Sequence, residues 1–466
     1  MKFRTLLFVA LTAVTSVAAS AFTYEGIDYE ALTSTTAKVS SGASATGDVV
    51  IPSTVYDGTT AYTVTELGKS SFRSAQIKTI TLPATLTKIG SSSFSQSSVE
   101  KINFNEGLTK IDYNAFYNCI NLNNVELPST LKSIGYLAFY SCTSLKSIAI
   151  PEGVTLLESC TFKDCTSLET VTLPSTLASF EDQVFSNCAA LRTLDIPEGV
   201  TTLPESFCYY CLSLEDVKFP STLTIIKNGA FTNCEFLQTL NLPESLRTIK
   251  KRAFANCNSL KNVVIPEGVV TLESDVFYEC INMESVTLSS TVEVLGFGSL
   301  GCWELLPDNT HTWKFAHIYC KGLVPPHFEY DDYARPEPDF FSLEEFTDDE
   351  KAAFLNSLTL HVPEAALDTY KNADLWKDIP NIVADDSESG VKDALAAGAA
   401  VAKCTAAGSV VVEGAAAGTV VAAYTADGRL AARSIANADG VATLSSLPAG
   451  MAIVKAGATA LKLVVR

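Results

Sequence analysis

The sequence of 466 residues has few histidines, an excess of acidic over basic residues and no long apolar run, and so lacks the features that most metal, nucleic-acid and membrane sites require. Four histidines and three methionines leave little room for a histidine-rich metal site. No apolar run reaches the ~18 residues of a membrane-spanning helix. Lysine and arginine total 33 against 52 acidic residues, and this net charge of −19 argues against binding to a nucleic-acid backbone. With 47% hydrophobic and only 18% charged residues, the chain is too apolar for disorder.

The amino terminus has the features of an export signal. Lys2 and Arg4 precede a short apolar stretch, and the small residues Ala19-Ser20-Ala21 follow it. We expect a cleaved signal peptide over residues 1–21, with Phe22 as the first mature residue, and cleavage after Ala19 is the neighbouring alternative. No cysteine follows the cleavage site, so a lipoprotein anchor is not expected.

Eight cysteines recur every 23 residues, an interval that chance does not produce. They are Cys119, Cys142, Cys165, Cys188, Cys211, Cys234, Cys257 and Cys280. A phenylalanine precedes most of them by three residues, although it is displaced to Phe207 in the unit of Cys211. An apolar residue follows each by three and another by six, before an apolar-proline pair such as Leu173-Pro174. This period with this spacing indicates a solenoid of leucine-rich type.

Each repeat predicts one coil of that solenoid. Val171 and Leu173 point inward at a period of two, and Pro174 ends their strand because proline cannot donate to a ladder. The chain then returns along the other side of the core, past Leu177 and Phe180. One coil cannot bury these faces alone, so we expect coils stacked ~4.8 Å apart in a parallel sheet.

Ten such units and a preceding partial unit make up the array. Their strands end at Leu82, Phe104, Leu127, Ile150, Leu173, Ile196, Phe219, Leu242, Ile265 and Leu288. The corners after the strands alternate between Pro-Ser-Thr and Glu-Gly, and this alternation fails after Glu244 and Glu267. Duplication of a two-coil unit followed by a local insertion would produce this pattern. We place the solenoid at residues 81–302, after an amino-terminal cap and partial repeat at 22–80.

These motifs resemble the BspA-like leucine-rich-repeat surface proteins. The family pattern is matched by Leu131, Ile134, Ala138-Phe139, Cys142, Leu145, Ile148 and Ile150-Pro151. The resemblance covers roughly residues 22–385. It implies an α/β-type repeat solenoid with mostly short parallel strands, displayed at a cell surface, and it says little about the ligand.

The cysteine column permits three interpretations. The thiols can be buried fillers that donate weakly to a carbonyl, partners in disulfides between neighbouring coils, or metal ligands. Five further cysteines lie outside the column, namely Cys160, Cys208, Cys302, Cys320 and Cys404. A bridge between Cys302 and Cys320 is a possibility at the carboxyl end of the array. The sequence predicts no cofactor, no metal site and no catalytic residue.

The outward strand positions form the candidate binding face. They carry short polar side chains, at Asn124, Glu126, Ser147, Thr170, Thr172, Thr193, Asp195, Asp216, Lys218, Thr239 and Asn241. Solenoid sheets commonly bind partners over such extended surfaces. Few large aromatics line this face, so a plain solvated sheet surface is the alternative for any one residue.

An acidic insert and a closing repeat-like cap are predicted at residues 303–385. Residues 329–350 hold ten carboxylates against Arg335, and we expect a solvated loop, with calcium binding and paired glycosidase acids as alternatives. A helix is predicted from Ser342, with Glu345 closing its capping box and Phe346, Phe354 and Leu355 facing inward. Tyr370 and Trp376 are expected to cover the apolar end of the closing unit.

The carboxyl-terminal part differs in composition from the array. Residues 386–402 suit a linker, and residues 403–466 predict six or seven short strands in a small all-β sandwich. The strings from Val421 to Leu430, from Leu447 to Lys455 and from Lys462 to Arg466 resemble the type IX secretion sorting domain, although Ala452 stands where that family usually has tyrosine. The resemblance implies contact with the type IX secretion machinery and export to the surface of a Gram-negative bacterium.

The sequence as a whole favours a non-enzymatic surface protein that binds an extracellular protein or glycan, an adhesin for host matrix, host cells or other microbes. No nucleophile–base pair, phosphate loop or zinc spacing is present. A surface hydrolase using residues 329–350 is one alternative. A structural surface-layer component without a specific ligand is another.

Overall fold

The computed structural model describes residues 20–329 and 338–385, and parts of the carboxyl-terminal region. These parts are residues 401–405, 409–413, 420–425, 430–439, 441–445, 447, 450–456 and 459–465. The chain divides into two compact units, Met1–Ile318 with Pro326–Leu358, and Tyr319–Pro325 with Thr359–Arg466. The predicted signal peptide up to residue 19 and the predicted linker up to residue 400 lie outside the described residues.

Short strands dominate the chain up to the acidic insert. In chain order they are β1 (Ala21–Tyr24), β2 (Ile27–Ala31), β3 (Thr36–Ser41), β4 (Thr46–Val50), β5 (Thr54–Tyr56), β6 (Ala61–Leu67), β7 (Gln76–Thr81), β8 (Lys88–Ile89), β9 (Lys101–Asn103), β10 (Lys110–Ile111), β11 (Ser133–Ile134), β12 (Ser147–Ala149), β13 (Leu156–Leu157), β14 (Thr170–Thr172), β15 (Ser179–Phe180), β16 (Thr193–Asp195), β17 (Thr202–Leu203), β18 (Asp216–Lys218), β19 (Ile225–Ile226), β20 (Thr248–Ile249), β21 (Asn262–Val264), β22 (Thr271–Leu272), β23 (Ser285–Leu288), β24 (Val294–Gly296), β25 (Trp303–Leu305), β26 (His311–Trp313), β27 (His317–Cys320) and β28 (His327–Glu329).

Two columns of parallel strands run along the coils. The first column carries strands in eight of the ten predicted units, and it pairs β4 with β7, β7 with β9, β12 with β14, β16 with β18 and β21 with β23. The predicted strands ending at Leu127 and Leu242 are wrong: the first is reduced to a single bridge at Asn124, and the second does not form. Its register places Ser147 beside Thr170 and Thr193 beside Asp216. The second column contains two-residue strands that the sequence did not predict, such as β17, β19, β20 and β22. The predicted parallel stacking of coils is confirmed.

An arc of turns completes each coil between the second column and the cysteine. Two residues per arc are left-handed, as Asn114 and Asn118 are before Cys119, each with a φ of 56°. The peptide N–H of Asn118 donates to the carbonyl of Tyr140 in the next coil at 2.7 Å. Left-handed residues interrupt helical geometry. No helix therefore forms between residues 65 and 302, all of which are described, and short parallel strands joined by turns make up this part of the array.

Phenylalanine rings stack along the axis of the coils. The ring of Phe162 lies 5.5 Å from that of Phe139 and 5.8 Å from that of Phe185, nearly parallel to both. The column is interrupted at the displaced Phe207, whose ring meets Phe185 edge-on at 5.5 Å and 74°. These side chains are fully buried, so the stack forms the centre of the core.

The cysteines form a second buried column with one recurring contact. The Cys165 thiol donates to the carbonyl oxygen of Phe139 in the preceding coil at 3.1 Å, and Cys188 donates to Phe162 at 3.2 Å. The described cysteines are free thiols, which confirms the interpretation as buried fillers. Burial raises the pKa of Cys165 to about 12, so this thiol stays protonated and can donate.

Cys302 belongs to the cysteine column, contrary to the sequence prediction. Its thiol donates to the carbonyl oxygen of Phe277 at 3.5 Å, the same contact that the other members make. Cys302 follows Cys280 by 22 residues, one fewer than the repeat, so the 23-residue period did not identify it as a member of the column. The expected bridge to Cys320 is wrong, because both thiols are free and buried. Cys208 takes the place of the displaced phenylalanine, and its carbonyl accepts from Cys234 at 3.2 Å.

The alternation of corners has a physical cause. The carboxylate of Glu152 accepts from the backbone N–H of Ser175 in the next coil at 3.0 Å. The hydroxyl of Thr176 accepts from the N–H of Gly153 at 2.8 Å and donates to the carbonyl of Val154 at 3.0 Å. Equivalent contacts join the corners at Glu106, Glu198 and Glu267 to their following coils. A Glu-Gly corner and a Ser-Thr corner are thus two halves of one interlocked pair.

The amino-terminal cap supplies the first strand of each column. Strand β4 begins the first column, and β6 begins the second by pairing with β8. Strands β5 and β6 form a hairpin around Asp57, whose carboxylate accepts from the N–H of Thr60 at 2.7 Å. Strands β1, β2 and β3 form an antiparallel meander that the weak alternation of residues 22–40 did not reveal.

The helix of the acidic insert begins later than predicted. Helix α1 spans Asp348–Ser357, with Thr347 as its N-cap and Glu350 completing the capping box. Ser342 is instead a buried, left-handed residue next to a turn in which Asp339 accepts from the N–H groups of Phe341 and Leu343. Two Ser/Thr-x-x-Glu signals compete in this segment, and the side chain of Asp339 decides between them. Phe346 and Phe354 are buried as expected.

The second unit contains the closing repeat and the carboxyl-terminal strands. Strands β29 (Thr359–Val362) and β30 (Asn381–Ala384) pair in parallel on either side of helix α2 (Leu367–Asn372) and two 3-10 helices, Glu364–Ala366 and Trp376–Asp378. Tyr370 and Trp376 are fully buried and meet edge-to-face at 5.7 Å. The Tyr370 hydroxyl donates to the carbonyl of Gly322 at 3.2 Å.

Seven further strands follow in the carboxyl-terminal part. They are β31 (Val401–Thr405), β32 (Ser409–Glu413), β33 (Val420–Thr425), β34 (Leu430–Ile435), β35 (Ala442–Leu444), β36 (Gly450–Ala456) and β37 (Thr459–Val465). They form two antiparallel sheets, β31-β32-β35 and β34-β33-β36-β37, and Val410, Val421 and Leu444 belong to one buried cluster. Strand β31 begins at Val401, within the predicted linker, because residues 401–405 pair with β32.

Candidate functional site: the strand face

The outer surface of the first column is the strand face, defined by the eleven predicted residues. All eleven are solvent-exposed, from Asn124 in one coil to Asn241 five coils later. Parallel pairing holds Ser147 beside Thr170 and Asp195 beside Lys218. The eleven side chains are thus exposed on the outside of successive coils, and their role as a binding face stays a prediction.

The rigidity of the strand face comes from the residues between its exposed positions. Ile148, Leu194 and Val217 alternate with the exposed side chains and are almost completely buried. Since each backbone position is fixed by core packing below and ladder hydrogen bonds at the sides, the exposed side chains keep their spacing without a ligand. A preorganised surface loses less entropy on binding than a flexible one.

The charges of the strand face are partly paired. A neighbouring column, which the sequence analysis did not include, contains Arg192 and Glu215, and their side chains lie 2.8 Å apart. The hydroxyl of Thr239 reaches the carboxylate of Asp216 at 3.5 Å. An exposed pair of this kind adds little stability, so its main effect is to fix a pattern of donors and acceptors. The face can therefore form many hydrogen bonds.

The described carboxylates of the acidic insert hold local structure. Glu350 accepts from Thr347 and from the backbone N–H of His311, and these bonds lower the pKa of Glu350 to about 2. The ring of His311 stacks on the ring of Phe346, with ring centres 3.9 Å apart, and meets the ring of Trp303 edge-on. These contacts fasten the β25–β26 hairpin to the start of α1. The acidic residues Asp331, Asp332 and Glu337 lie outside the described residues.

Metal and membrane sites were also considered. Among the described residues, no group of three or more histidine, cysteine, aspartate or glutamate side chains could hold a metal ion. Within the same part of the chain, no helix has the length and apolar character needed to cross a bilayer.

The fold and the strand face define a leucine-rich-repeat protein. The BspA type leucine rich repeat region family matches residues 65–192, 109–238 and 201–305 in six copies, and these segments together span more than half of the chain. The chain belongs to this family. A comparison with curated proteins found no match.

Several solved structures are similar to this chain. A leucine rich cell surface protein from Faecalibacterium prausnitzii is 26% identical over 59% of this chain and 90% of its own, with a TM-score of 0.39. A leucine-rich repeat protein from Bacteroides ovatus is 21% identical over 67% of this chain and 100% of its own, with a TM-score of 0.41. The pneumococcal vaccine antigen PcpA is 15% identical over 79% and 99%, with a TM-score of 0.40.

Proposed function

We propose that the protein is an exported surface protein that binds an extracellular macromolecule through the strand face and acts as an adhesin. One observation carries the proposal: eleven polar side chains are exposed at equivalent positions of six successive coils, seven of them on strands held in parallel register. Membership in the BspA type family and the surface location named for a Faecalibacterium relative support it. An extended protein ligand suits this surface better than a small molecule, because the face has no enclosing walls.

The strand face can be tested with the full mature chain and two matched variants. We expect saturable binding of the wild-type chain to at least one immobilised matrix protein. Thr170→Arg/Thr193→Arg should weaken that binding at least about tenfold, because two bulky cations would obstruct the centre of the face. Ser179→Arg/Thr202→Arg, on the second column, is the control. Equal binding by both variants would refute the role of the strand face.

We further propose that the carboxyl-terminal strands pack as a β-sandwich that serves as the type IX sorting domain. Its motifs and its two antiparallel sheets around a common buried cluster support this role. Deletion of residues 401–466 in a bacterium with a type IX system should abolish surface display and leave the chain in the periplasm. Surface display of the truncated chain, measured by antibody labelling of intact cells, would contradict this proposal.

A further inference from the structure

A tyrosine patch lies on the arcs of two adjacent coils, on a different side of the coil from the strand face. Tyr113 and Tyr136 occupy the same position in successive arcs and are 46% and 45% exposed. Tyr117 and Tyr140 follow them by four residues in each arc. We call these four side chains the tyrosine patch. Exposed clusters of tyrosine are unusual on a solvated surface and typical of binding sites.

The two pairs of rings present different surfaces. The rings of Tyr117 and Tyr140 are stacked with their centres 4.9 Å apart and their planes within 6°, so each covers one face of the other. Tyr113 and Tyr136 make no such ring contact within the described residues and are nearly half exposed, so we call them the open rings. The patch therefore combines two exposed, unstacked rings with two stacked rings that can offer a ligand mainly their edges and hydroxyls.

The backbone beneath the patch is rigid. The N–H of Asn114 donates to the carbonyl of Tyr136 at 2.9 Å, and the N–H of Tyr136 donates to the carboxylate of Glu158 at 2.8 Å. Gly135 permits this approach, because a Cβ there would lie 2.7 Å from the backbone nitrogen of Tyr113. The backbone segments that carry the two open rings are thus held in adjacent coils, about 5 Å apart along the axis.

The charged groups next to the patch are already engaged in ion pairs or hydrogen bonds. Asp112 lies 2.9 Å from the ammonium of Lys110 and 3.3 Å from that of Lys88. Tyr140 is hydrogen-bonded to Asp164. The surroundings therefore do not select a strongly charged ligand, in contrast with the net charge of −19 of the whole chain.

The polar groups next to the open rings suit a hydroxyl-rich ligand. The hydroxyls of Tyr113 and Tyr136, and that of Tyr117, can each donate or accept a hydrogen bond. A ligand with C–H faces for the rings and hydroxyls for these groups matches both halves of the patch.

We propose that the tyrosine patch binds a neutral polysaccharide, with sugar rings against Tyr113 and Tyr136. A sugar ring has an apolar face, a hydroxyl rim and no charge, and the patch complements each property. A second copy of the chain fits poorly, because four side chains cover far less than the ~800 Å² that each partner buries in a stable interface, and two acidic chains repel each other. This site is independent of the strand face.

Affinity electrophoresis tests the proposal. The full mature chain is run through gels containing galactomannan, xyloglucan or mixed-linkage β-glucan, with heparin and hyaluronan as charged comparisons. We expect retardation by at least one neutral polysaccharide. Tyr113→Ala/Tyr136→Ala should weaken it at least about tenfold, the loss of one strong contact side chain. Tyr209→Ala/Tyr210→Ala, which removes two exposed tyrosines elsewhere, should leave it unchanged.

Three outcomes would overturn the proposal: no retardation by any neutral polysaccharide, retardation by charged polysaccharides alone, or equal weakening by both tyrosine double variants. Circular dichroism of each variant confirms that it is folded, as expected for side chains this exposed. The arginine variants of the strand face should be retarded like the wild-type chain. Loss of matrix-protein binding in those variants and loss of polysaccharide binding in the tyrosine variants therefore report on separate sites, and either can fail alone.

Discussion

Truncation of a central phenylalanine should destabilise the array by several kilocalories per mole. Phe162 is completely buried and stacks between Phe139 and Phe185, with ring centres 5.5 and 5.8 Å away. Because rings fill both sides, neither neighbour can collapse into the space left by Phe162→Ala. We expect a loss of about 3–5 kcal/mol in the free energy of unfolding, the usual range for buried phenylalanine.

The matched control is another phenylalanine of the same array. Phe236 is 56% exposed, so Phe236→Ala should change stability by no more than about 0.5 kcal/mol. Urea unfolding followed by far-UV circular dichroism measures both variants, and amide hydrogen exchange should show the loss of protection centred on the coils beside Phe162. A difference of less than about 1 kcal/mol between the two variants would refute the stacked core.

Three further predictions concern the corners and the thiols. Thr176→Val loses both hydrogen bonds that its hydroxyl makes, and urea unfolding should show a cost of about 1–2 kcal/mol, against almost none for the exposed control Thr172→Val. Backbone N–H donors lower the pKa of Glu152 and of Glu198, so the ionised carboxylates stabilise the fold above the ordinary pKa of 4.5, and this contribution is lost as pH falls through the lowered pKa. The free energy of unfolding of Glu152→Gln/Glu198→Gln should therefore fall less steeply than that of the wild-type chain as the pH is lowered. An equally steep fall in both proteins would contradict this role of the carboxylates. Among the twelve cysteines from Cys119 to Cys320, Cys160 is the only one that is not buried, so a thiol reagent should label it before the other eleven in the native chain, and rapid labelling of several of these thiols would contradict the buried column.

The repeat allowed much of the array to be predicted, because its apolar residues are placed by burial alone. Most of the first-column strands and the outward positions follow from the 23-residue period, whereas the same period left the state of the thiols open. The second column was not predicted from the sequence, because a two-residue strand such as β17 is too short to show an alternation of apolar and polar residues. The arcs escaped for a different reason: left-handed conformations are imposed by stacking on residues as varied as Leu137 and Arg252, which have no intrinsic preference for them.

The errors occurred where tertiary contacts decide between equal local signals. Ser342 and Thr347 both begin a capping-box pattern, and only the turn around Asp339 excludes the first. Cys302 departs from the period by one residue, yet its contact with Phe277 is preserved. The tyrosine patch was missed because its members lie on the arcs, whose outward positions cannot be identified before the left-handed residues are known.

Distances between spin labels on successive coils test the central claim most directly. Cysteines are introduced at Asn124 and, in turn, at Thr193, Asp216 or Thr239 in a Cys160→Ser background, and the label pairs are measured by double electron–electron resonance. Stacked coils predict label distances that lengthen by about 5 Å with each further coil, the spacing of neighbouring strands. Distances that do not lengthen in this order would contradict a solenoid built by one apolar set per coil.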